Sequence, residues 1–394
     1  MMPLADLISP VSVDAFLADF VGRCAVHSVG TSDRHSGHFS WDALDALLNN
    51  APAPHPALRV VSAEHGAVTP HSAAQAIAAM RQGTGLVLQE ADRYHDALGA
   101  LADALTAELD EPCRINVYAT QPGQAAFPLH ADTHDVLVLQ LAGNKDWSVT
   151  GPSLVDPLFH RSLHPQTPPD DPTPYLRTTL TPGDTLYIPR GHWHQALAMG
   201  GPSLHLTVAL FRTTGMDLIA FAAEELFQSS LWRASLPLSV GERMRPQEAV
   251  SPAHRHHQSA LATDLAARLS DPGLLARYRA ARLANATPRR PFAVRSHMGS
   301  QVGRLWQAHV ATVRTEPRDE GLVVHVPGRD LWLPAEVQPA LALLFSGEPF
   351  RVADACAIAP QLAEETAERI VSDLASEGIL HPVSAHPDGG DDTA

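Results

Sequence analysis

The stretch HADTHDVLVLQLAGNKDW, residues 130–147, decides the fold of this 394-residue chain. It opens with a His-x-Asp pair, continues as an apolar, β-branched run and ends just after Lys145, the only lysine in the sequence. Successive side chains of a strand point to opposite faces, so His130 and Asp132 share a face if this segment is a strand. The stretch therefore predicts a strand that carries two ligands for a divalent metal, with a cation nearby.

A second stretch, LTPGDTLYIPRGHWHQA over residues 180–196, supplies a third candidate ligand, His194. Two imidazoles and one carboxylate on a triangular face leave about three positions of an octahedral ion open, as in non-haem Fe(II) oxygenases. A bidentate 2-oxo acid and O2 can fill those positions, whereas a closed four-ligand site has no room for them. We predict that His130, Asp132 and His194 bind the metal, and that Trp147 and Trp193 pack in the core or at its rim.

Other histidines compete for the metal. In a regular strand His134 lies on the same face as His130, and His192 alternates with His194. Spacing alone leaves open a three-His or four-ligand site, such as a zinc or manganese isomerase would use. Histidine is abundant, at 22 of 394 residues, so a single one means little. Two motifs, each in a strand context, favour a metal site over histidines that merely cap strands or lie on the surface.

Lys145 follows the segment Ala142-Gly143-Asn144, which is predicted to be a turn beside the mouth of the barrel. A lone ammonium suits a carboxylate at the end of a pocket, so we predict that Lys145 binds the distal carboxylate of 2-oxoglutarate. The alternative is a solvated turn lysine, and the absence of any other lysine argues against it. Asn116 and Tyr118 alternate on an earlier strand and are predicted to donate hydrogen bonds to the same co-substrate. The alternative for both is a polar residue satisfied within the core.

Composition excludes several other classes of protein. The net charge of −15 argues against binding to nucleic-acid backbones, although an acidic surface attracts basic partners. The three cysteines are widely separated, which indicates neither a disulfide framework nor a thiolate zinc site. The N-terminus lacks the pattern of a signal peptide, and no apolar run approaches the ~20 residues of a membrane span. We expect a cytoplasmic protein without a membrane segment.

Hydrophobic periodicity changes along the chain. Helices are predicted early, at residues 13–20, 40–48, 73–81 and 94–109. In the first of them Phe16, Leu17 and Phe20 share an apolar face. Strands are predicted next, at residues 114–119, 136–141, 146–149, 175–180, 184–189 and 203–210, with a long surface loop over 152–174. Short strands separated by turns indicate an antiparallel barrel or sandwich.

Helices return after residue 214. They are predicted at residues 216–231, 260–270 and 273–285, with a histidine-rich loop over 246–258 that carries His254, His256 and His257. Apolar faces, such as the one formed by Leu218, Ile219, Phe221, Ala222 and Leu226, predict a homodimer through residues 215–290.

The last hundred residues mix helix and strand. Helices at 335–345 and 364–377 and a strand at 378–383 follow an order that resembles a winged helix. Residues 300–394 contain 6 arginines and 15 acidic residues. A domain that reads DNA is usually basic, so this part is predicted to dock a protein or peptide or to be purely structural.

The two motifs together resemble the metal-binding core of the JmjC/cupin hydroxylases of the ribosomal-oxygenase type. Residues 116–118 resemble the strand that precedes this core in the family, and residues 203–207 resemble the strand that follows it. The resemblance implies Fe(II), 2-oxoglutarate and O2, with His130, Asp132 and His194 at the metal positions and Lys145 at the position of the family's basic residue. Ala131 stands where an aromatic residue is common, which leaves the substrate open.

The resemblance also implies an α+β architecture. Residues 1–214 would form a double-stranded β-helix (jelly-roll or cupin) catalytic domain with N-terminal helices, and 215–299 a helical dimerisation region. Residues 300–384 would form a winged-helix-like domain, and 385–394 a disordered tail. The expected function is hydroxylation of a side chain of a protein or peptide, either a ribosomal protein or a peptide natural-product precursor. The alternatives are a non-oxidative metal-binding cupin, with His134 as a fourth ligand, and a regulatory or binding protein with a vestigial barrel.

Overall fold

The computed structural model describes residues 3–50, 57–62, 66–123, 127–160, 167–170, 172–238, 251–286, 303–308, 313–318, 321–326 and 328–383. The chain divides into two compact units, Met1–Arg212 and Thr213–Ala394. The predicted disordered tail at 385–394 and residues 246–250 of the predicted loop lie outside the described residues. Within the described part, no helix combines the length and the apolar character needed to cross a membrane.

The first unit is built on a nine-stranded sheet. Its strands are β1 (Val26–Ser28), β2 (Leu58–Ser62), β3 (Gly66–Val68), β4 (Gly85–Leu88), β5 (Cys113–Thr120), β6 (Asp135–Pro152), β7 (Leu176–Leu180), β8 (Thr185–Ile188) and β9 (His192–Leu210). The strand order is β1-β8-β6-β9-β5-β4-β2-β3, with β7 paired to β6. Every pairing in this sheet is antiparallel.

Helices precede and interrupt these strands. They are α1 (Pro3–Ile8), α2 (Val13–Ala15), α3 (Trp41–Asn50), α4 (Ala73–Arg81) and α5 (Asp96–Leu109), with a π-helical turn at Phe16–Phe20 and a 3-10 turn at Ala91–Arg93. The helices pack their apolar side chains on the outer face of β4, β5 and β9. Phe16 is buried as predicted, but Leu17, in the same π-helical turn, is 52% exposed and does not share its face.

Strands β6 and β9 run beside each other over most of their length and form the frame of the unit. The first half of β6 also pairs with β8, and its second half pairs with β7. A second apolar cluster lies between these strands, and Val136, Val138, Val149, Leu186 and Ile188 are buried in it. The two halves of β6 therefore pair with different strands of the same sheet, and the sheet curves around an interior.

The predicted turn at Ala142–Asn144 is wrong, because β6 continues through it as a bulge. Gly143 has a φ of +67°, and its backbone lies so close to β9 that a Cβ there would be 2.1 Å from the carbonyl oxygen of Pro202. The Gln140 side chain secures the bulge by donating to the carbonyl oxygens of Ala142 and Gly143, each at 2.9 Å. A bulge changes which side chains face the interior, and Lys145 follows it directly.

The second unit starts with helices α6 (Gly215–Leu226), α7 (Ser230–Arg233), α8 (Pro252–Leu269) and α9 (Leu274–Ala284). The prediction of a loop around His254, His256 and His257 is wrong, because Ser251 caps α8 and Pro252 starts it. In α6, Ala222 and Leu226 are buried and Phe221 packs edge-on against Tyr278.

The remaining elements of this unit surround a third apolar core. They are β10 (Leu305–Ala308), β11 (Arg314–Arg318), β12 (Gly321–Val326), β13 (Arg329–Pro334), α10 (Leu341–Leu344), α11 (Val352–Ile358), α12 (Glu364–Ser376) and β14 (Leu380–Val383), with a 3-10 turn at Ala335–Ala340. Strands β11, β12 and β13 form one sheet, and β10 pairs with β14. The helix predicted at 335–345 is thus divided into a 3-10 turn and α10, with Pro339 inside the turn.

Candidate metal centre and co-substrate pocket

His130 and His194 face each other across a short backbone bridge. The segment from His130 to His134 is not a regular strand, contrary to the prediction, because β6 begins only at Asp135. Backbone hydrogen bonds fix it instead: the amide of Gly191 donates to the carbonyl oxygen of Asp132 at 2.7 Å. The two motifs of the sequence are therefore held together through their main chains.

Three side chains converge at this point. One potential ligand atom from each of His130, Asp132 and His194 lies within 4.8 Å of the other two, and this is the one such group of three or more among the described residues. Nε2 of His194 is 3.6 Å from a carboxylate oxygen of Asp132. Burial raises the pKa of the Asp132 carboxyl, but the neighbouring imidazoles, His194 foremost, lower it overall, so the group is a carboxylate at neutral pH.

The hydrogen bonds of the two imidazoles orient them for a metal. Nδ1 of His130 is 2.9 Å from the carbonyl oxygen of Pro128, and Nδ1 of His194 is 3.0 Å from that of His192. A carbonyl oxygen only accepts, so each ring carries its proton on Nδ1 and keeps Nε2 as a ligand atom. Burial lowers the pKa of His194 to about 4, which keeps its ring neutral as metal binding requires.

A cavity of ≈ 160 Å³ opens beside this group. Its lining residues are Asn116, Tyr118, Phe127, His130, Asp132, His134, Val136, Lys145, Trp147, His194, Ala196, His205 and Thr207. All six residues that were predicted to bind the metal or the co-substrate thus line one cavity. Donors of this kind, two imidazoles and one carboxylate beside open space, fit an octahedral Fe(II) ion.

Lys145 lies at the buried side of this cavity and is only 1% exposed, so it is not a solvated turn lysine. Its ammonium nitrogen donates to the hydroxyl oxygen of Thr120 at 3.0 Å and lies 5.9 Å from the centre of the Trp147 ring. Burial lowers the pKa of Lys145 from its usual value near 10.5 to about 7. A buried ammonium without a carboxylate partner among the described residues is costly, and an anionic ligand would offset that cost.

Asn116 and Tyr118 project into the cavity from β5, two residues apart. The side-chain oxygen of Asn116 accepts from the amide of Glu90 at 2.9 Å, which leaves the NH2 group to donate elsewhere. Burial raises the pKa of Tyr118 far above its usual range, so its hydroxyl stays protonated and can donate.

Two polar residues of the cavity, His205 and Thr207 of β9, were not singled out from the sequence. His205 stands opposite Tyr118 in the β5–β9 register, and Thr207 stands opposite Asn116. The rings of His205 and Tyr118 stack at 4.8 Å. Alternation along β9 was the available signal, because residues 203, 205 and 207 share a face of the strand.

The competing histidines differ in their surroundings. His134 lines the cavity, but its ring lies against Phe211 at 5.0 Å, and it is not one of the three grouped ligands. Nδ1 of His192 and the Tyr175 hydroxyl form a hydrogen bond at 2.8 Å. Burial lowers the pKa of His192, which favours the neutral ring.

The two tryptophans are both packed, as predicted. Trp193 is 4% exposed and donates through Nε1 to the Ser153 hydroxyl at 3.0 Å. Trp147 is 8% exposed and forms a wall of the cavity, with its ring 6.1 Å from that of His194. Trp147 therefore lies near both His194 and Lys145.

Comparisons with known proteins agree with this geometry. Residues 88–218 match the family model of the JmjC domain, and this range contains all the pocket residues. Ribosomal oxygenase 1 of Bos taurus is 31% identical over 262 residues, which are 62% of this chain and 39% of the relative. The bifunctional lysine-specific demethylase and histidyl-hydroxylase NO66 of Dictyostelium discoideum is 28% identical over 227 residues, 55% of this chain and 44% of the relative. The chain spans about two fifths of the length of these relatives.

Solved structures extend the likeness of the fold to almost the whole chain. The ribosomal oxygenase YcfD of Escherichia coli superposes with a TM-score of 0.61 over 95% of this chain and 98% of its own, at 16% identity. YcfD has also been solved in complex with cobalt and 2-oxoglutarate, and that form has the same TM-score of 0.61. The site built by His130, Asp132 and His194 thus lies within the residues that match the JmjC domain, and the chain is similar to the ribosomal oxygenases.

Proposed function

We propose that this chain is an Fe(II)- and 2-oxoglutarate-dependent oxygenase that hydroxylates an amino-acid side chain of a protein or peptide. One observation carries the proposal: the buried ammonium of Lys145 faces the same cavity as the grouped His130, Asp132 and His194. A three-ligand metal site alone fits many reactions. A lone cation at the other side of the pocket selects a metal-bound acid with a second carboxylate.

Eight residues of the pocket have a defined task in this reaction. His130, Asp132 and His194 hold the iron, which when bound supplies the activation of O2 and the oxidation of a C–H bond. Lys145 binds the distal carboxylate of 2-oxoglutarate. The amide of Asn116 and the hydroxyl of Tyr118 donate hydrogen bonds that orient the co-substrate. Val136 and Trp147 line the cavity with apolar surface and limit the access of water.

A ribosomal protein is the substrate that we propose first. The relatives are named ribosomal oxygenases, and one is named a histidyl-hydroxylase. Ribosomal proteins are rich in basic residues, and the net charge of −15 on this chain favours encounters with basic partners. The same charge supports the absence of direct nucleic-acid binding.

Further proposals concern assembly and location. Residues 215–290 form a homodimer interface, residues 300–384 form a winged-helix-like domain that docks protein rather than nucleic acid, and the protein acts in the cytoplasm. The exposed stripe of α6, formed by Met216 and Ile219 and continued by Phe227, supports the interface. Ala222 and Leu226 of the same helix are buried.

Two measurements test the catalytic proposal. Purified protein supplied with Fe(II) should convert 2-oxoglutarate to succinate, and Asp132→Ala should abolish this conversion. Incubation with a fraction of ribosomal proteins should produce a peptide heavier by one oxygen atom, detected by mass spectrometry. Equal succinate formation by wild type and Asp132→Ala would refute the assignment of the metal site. Succinate formation without any modified ribosomal peptide would refute the substrate alone.

A further inference from the structure

The contacts of Lys145 single out Thr120. Lys145 is a fully buried lysine, and the hydroxyl oxygen of Thr120 is the hydrogen-bond acceptor that the structure gives its ammonium, at 3.0 Å. Thr120 is itself only 1% exposed, so water does not compete for its oxygen from the surface. A charge-assisted hydrogen bond in such a place contributes far more than the same bond would on the surface.

The other groups around Lys145 offer no comparable support for its charge. Tyr118 of β5 and His205 of β9 are both neutral, because burial raises the pKa of the phenol and lowers that of the imidazole, and the structure gives the ammonium no hydrogen bond to either. Trp147 of β6 presents its ring at 5.9 Å. The charged group of the cavity, Asp132, belongs to the metal ligands. In the described part of the pocket, the threonine oxygen is therefore the acceptor available before an acid binds.

The backbone fixes Thr120 in this position. It is the last residue of β5 and stands opposite Ser203 in the β5–β9 register. It lies two residues beyond Tyr118 and four beyond Asn116, so β5 aims all three polar side chains into the same interior. The position of the Thr120 hydroxyl is thus set by the same strand that carries the proposed co-substrate donors.

We propose that Thr120 is a positioning residue, whose hydroxyl oxygen keeps Lys145 charged and directs its ammonium toward the distal carboxylate of the co-substrate. The inference rests on the proposed function, since it assigns Thr120 a task in binding 2-oxoglutarate. Without the hydroxyl oxygen, the ammonium loses the one hydrogen bond that the described residues give it. Lys145 then loses its proton at a lower pH, and binding of the acid must restore it.

The single lysine makes a direct test possible. In protein labelled with 13C-lysine, the side-chain Cε signal belongs to Lys145 alone and reports its protonation in the full-length chain. We expect wild type to titrate near neutral pH and Thr120→Val to titrate about one pH unit lower, because a hydrogen bond to a charged group is worth roughly that much. Thr120→Ser keeps the hydroxyl and should titrate like wild type.

A matched control comes from Thr150, another buried threonine, whose hydroxyl donates to the carbonyl oxygen of Pro172 at 3.2 Å. Thr150→Val makes the same chemical change away from Lys145 and should leave the titration as in wild type. Should Thr120→Val fail to fold, Thr120→Ala removes the same oxygen without adding a methyl group. An unchanged midpoint in the variants that lack the hydroxyl would overturn the inference, as would a Thr120→Ser midpoint as low as that of Thr120→Val.

Binding of 2-oxoglutarate to the Mn(II)-loaded protein, followed by calorimetry, gives the second readout. At pH 8, Thr120→Val should bind about tenfold more weakly than wild type, since each pH unit below the ambient pH costs a factor of ten in the charged form. At pH 6 the difference should shrink, whereas a purely structural defect would weaken binding equally at both values. If wild type itself binds no 2-oxoglutarate, the proposed function is refuted, and so is the role of Thr120 in binding the co-substrate. Equal affinities at pH 8 would overturn the inference alone.

Discussion

His130 and His194 exchange two backbone hydrogen bonds, with the amide of His130 3.1 Å from the carbonyl oxygen of His194 and the reverse pair at 2.8 Å. This isolated bridge puts their rings on one side, with centroids 4.3 Å apart. Main-chain bonds do not depend on the metal or on either side chain. The positions of both imidazoles are therefore set by the fold before any ion binds, which lowers the cost of assembling the site.

The metal site leads to the first prediction. His130→Ala or Asp132→Ala should reduce the affinity for a divalent metal by more than tenfold, because each removes one of three ligands. Metal content after dialysis, measured by mass spectrometry, reports the loss. His134→Ala should keep its metal, since His134 is not part of the group. Loss of metal in His134→Ala to the same extent would instead favour the four-ligand cupin site. His256→Ala, on α8, serves as a control for removing an exposed histidine.

Lys145 leads to the second prediction, on stability. Its pKa is lowered from 10.5 to about 7 in the folded protein by burial. Between these values the unfolded chain binds more protons than the folded one, so this group makes the folded protein more stable as pH rises from about 7 toward 10.5. Below pH 7 the cost of burying the ammonium is fully present.

Lys145→Met keeps the length of the side chain and removes that cost. We expect the variant to be more stable than wild type at pH 6 by a few kcal/mol, at about 1.4 kcal/mol per unit of pKa difference. The advantage should shrink toward pH 10, as followed by denaturant unfolding without ligand. The same variant should bind 2-oxoglutarate at least tenfold more weakly, because the counter-charge is lost. A variant that is less stable than wild type at pH 6 would contradict this reading of Lys145.

How far the sequence predicts the site can be judged from residues 130–134, which precede β6. The candidate ligands His130, Asp132 and His194 were predicted from residue types and spacing, yet the regular strand that was used to align His130 and Asp132 does not exist there. The prediction of proximity still held, because paired main chains, rather than alternation, bring the residues together. Local alternation could not reveal this, since the bridge joins segments far apart in the sequence.

Lys145 shows the opposite case. Its role was predicted from its rarity, while its surroundings were predicted wrongly as a turn. Gly143 looks like a turn glycine in sequence, and only the approach of Pro202 from β9 reveals a bulge. His205 was missed for a similar reason. A histidine inside an apolar strand is usually a core residue. His205 becomes a candidate site residue only because it stands opposite Tyr118 in the β5–β9 register.

The bulge leads to the third prediction. Gly143→Ala should destabilise the protein by about 3 kcal/mol or more, since a non-glycine residue at positive φ costs about 1–3 kcal/mol and the Cβ also meets the Pro202 carbonyl. Gly151→Ala lies on the same strand, with no atom within 4 Å of the added Cβ, and should be nearly neutral. Thermal unfolding of the two variants checks the difference. Equal melting temperatures of the two variants would contradict the bulge, because they would show that residue 143 accepts a side chain at no cost in stability.

The exposed stripe of α6 leads to the fourth prediction. Met216 is 60% exposed, Ile219 37% and the following Phe227 65%, and their spacing puts them on one side of the helix. If this stripe forms the homodimer interface, Met216→Glu combined with Phe227→Glu should place charges in apolar contact and yield monomers at micromolar concentration by light scattering. Ile358→Glu changes an equally exposed apolar residue, 48% exposed, outside the helices of 215–290 and should leave the dimer intact. A wild-type chain that is already monomeric would refute the proposed interface. A double variant that stays dimeric would show that the interface lies on another face, such as that of α8, in which no residue is buried.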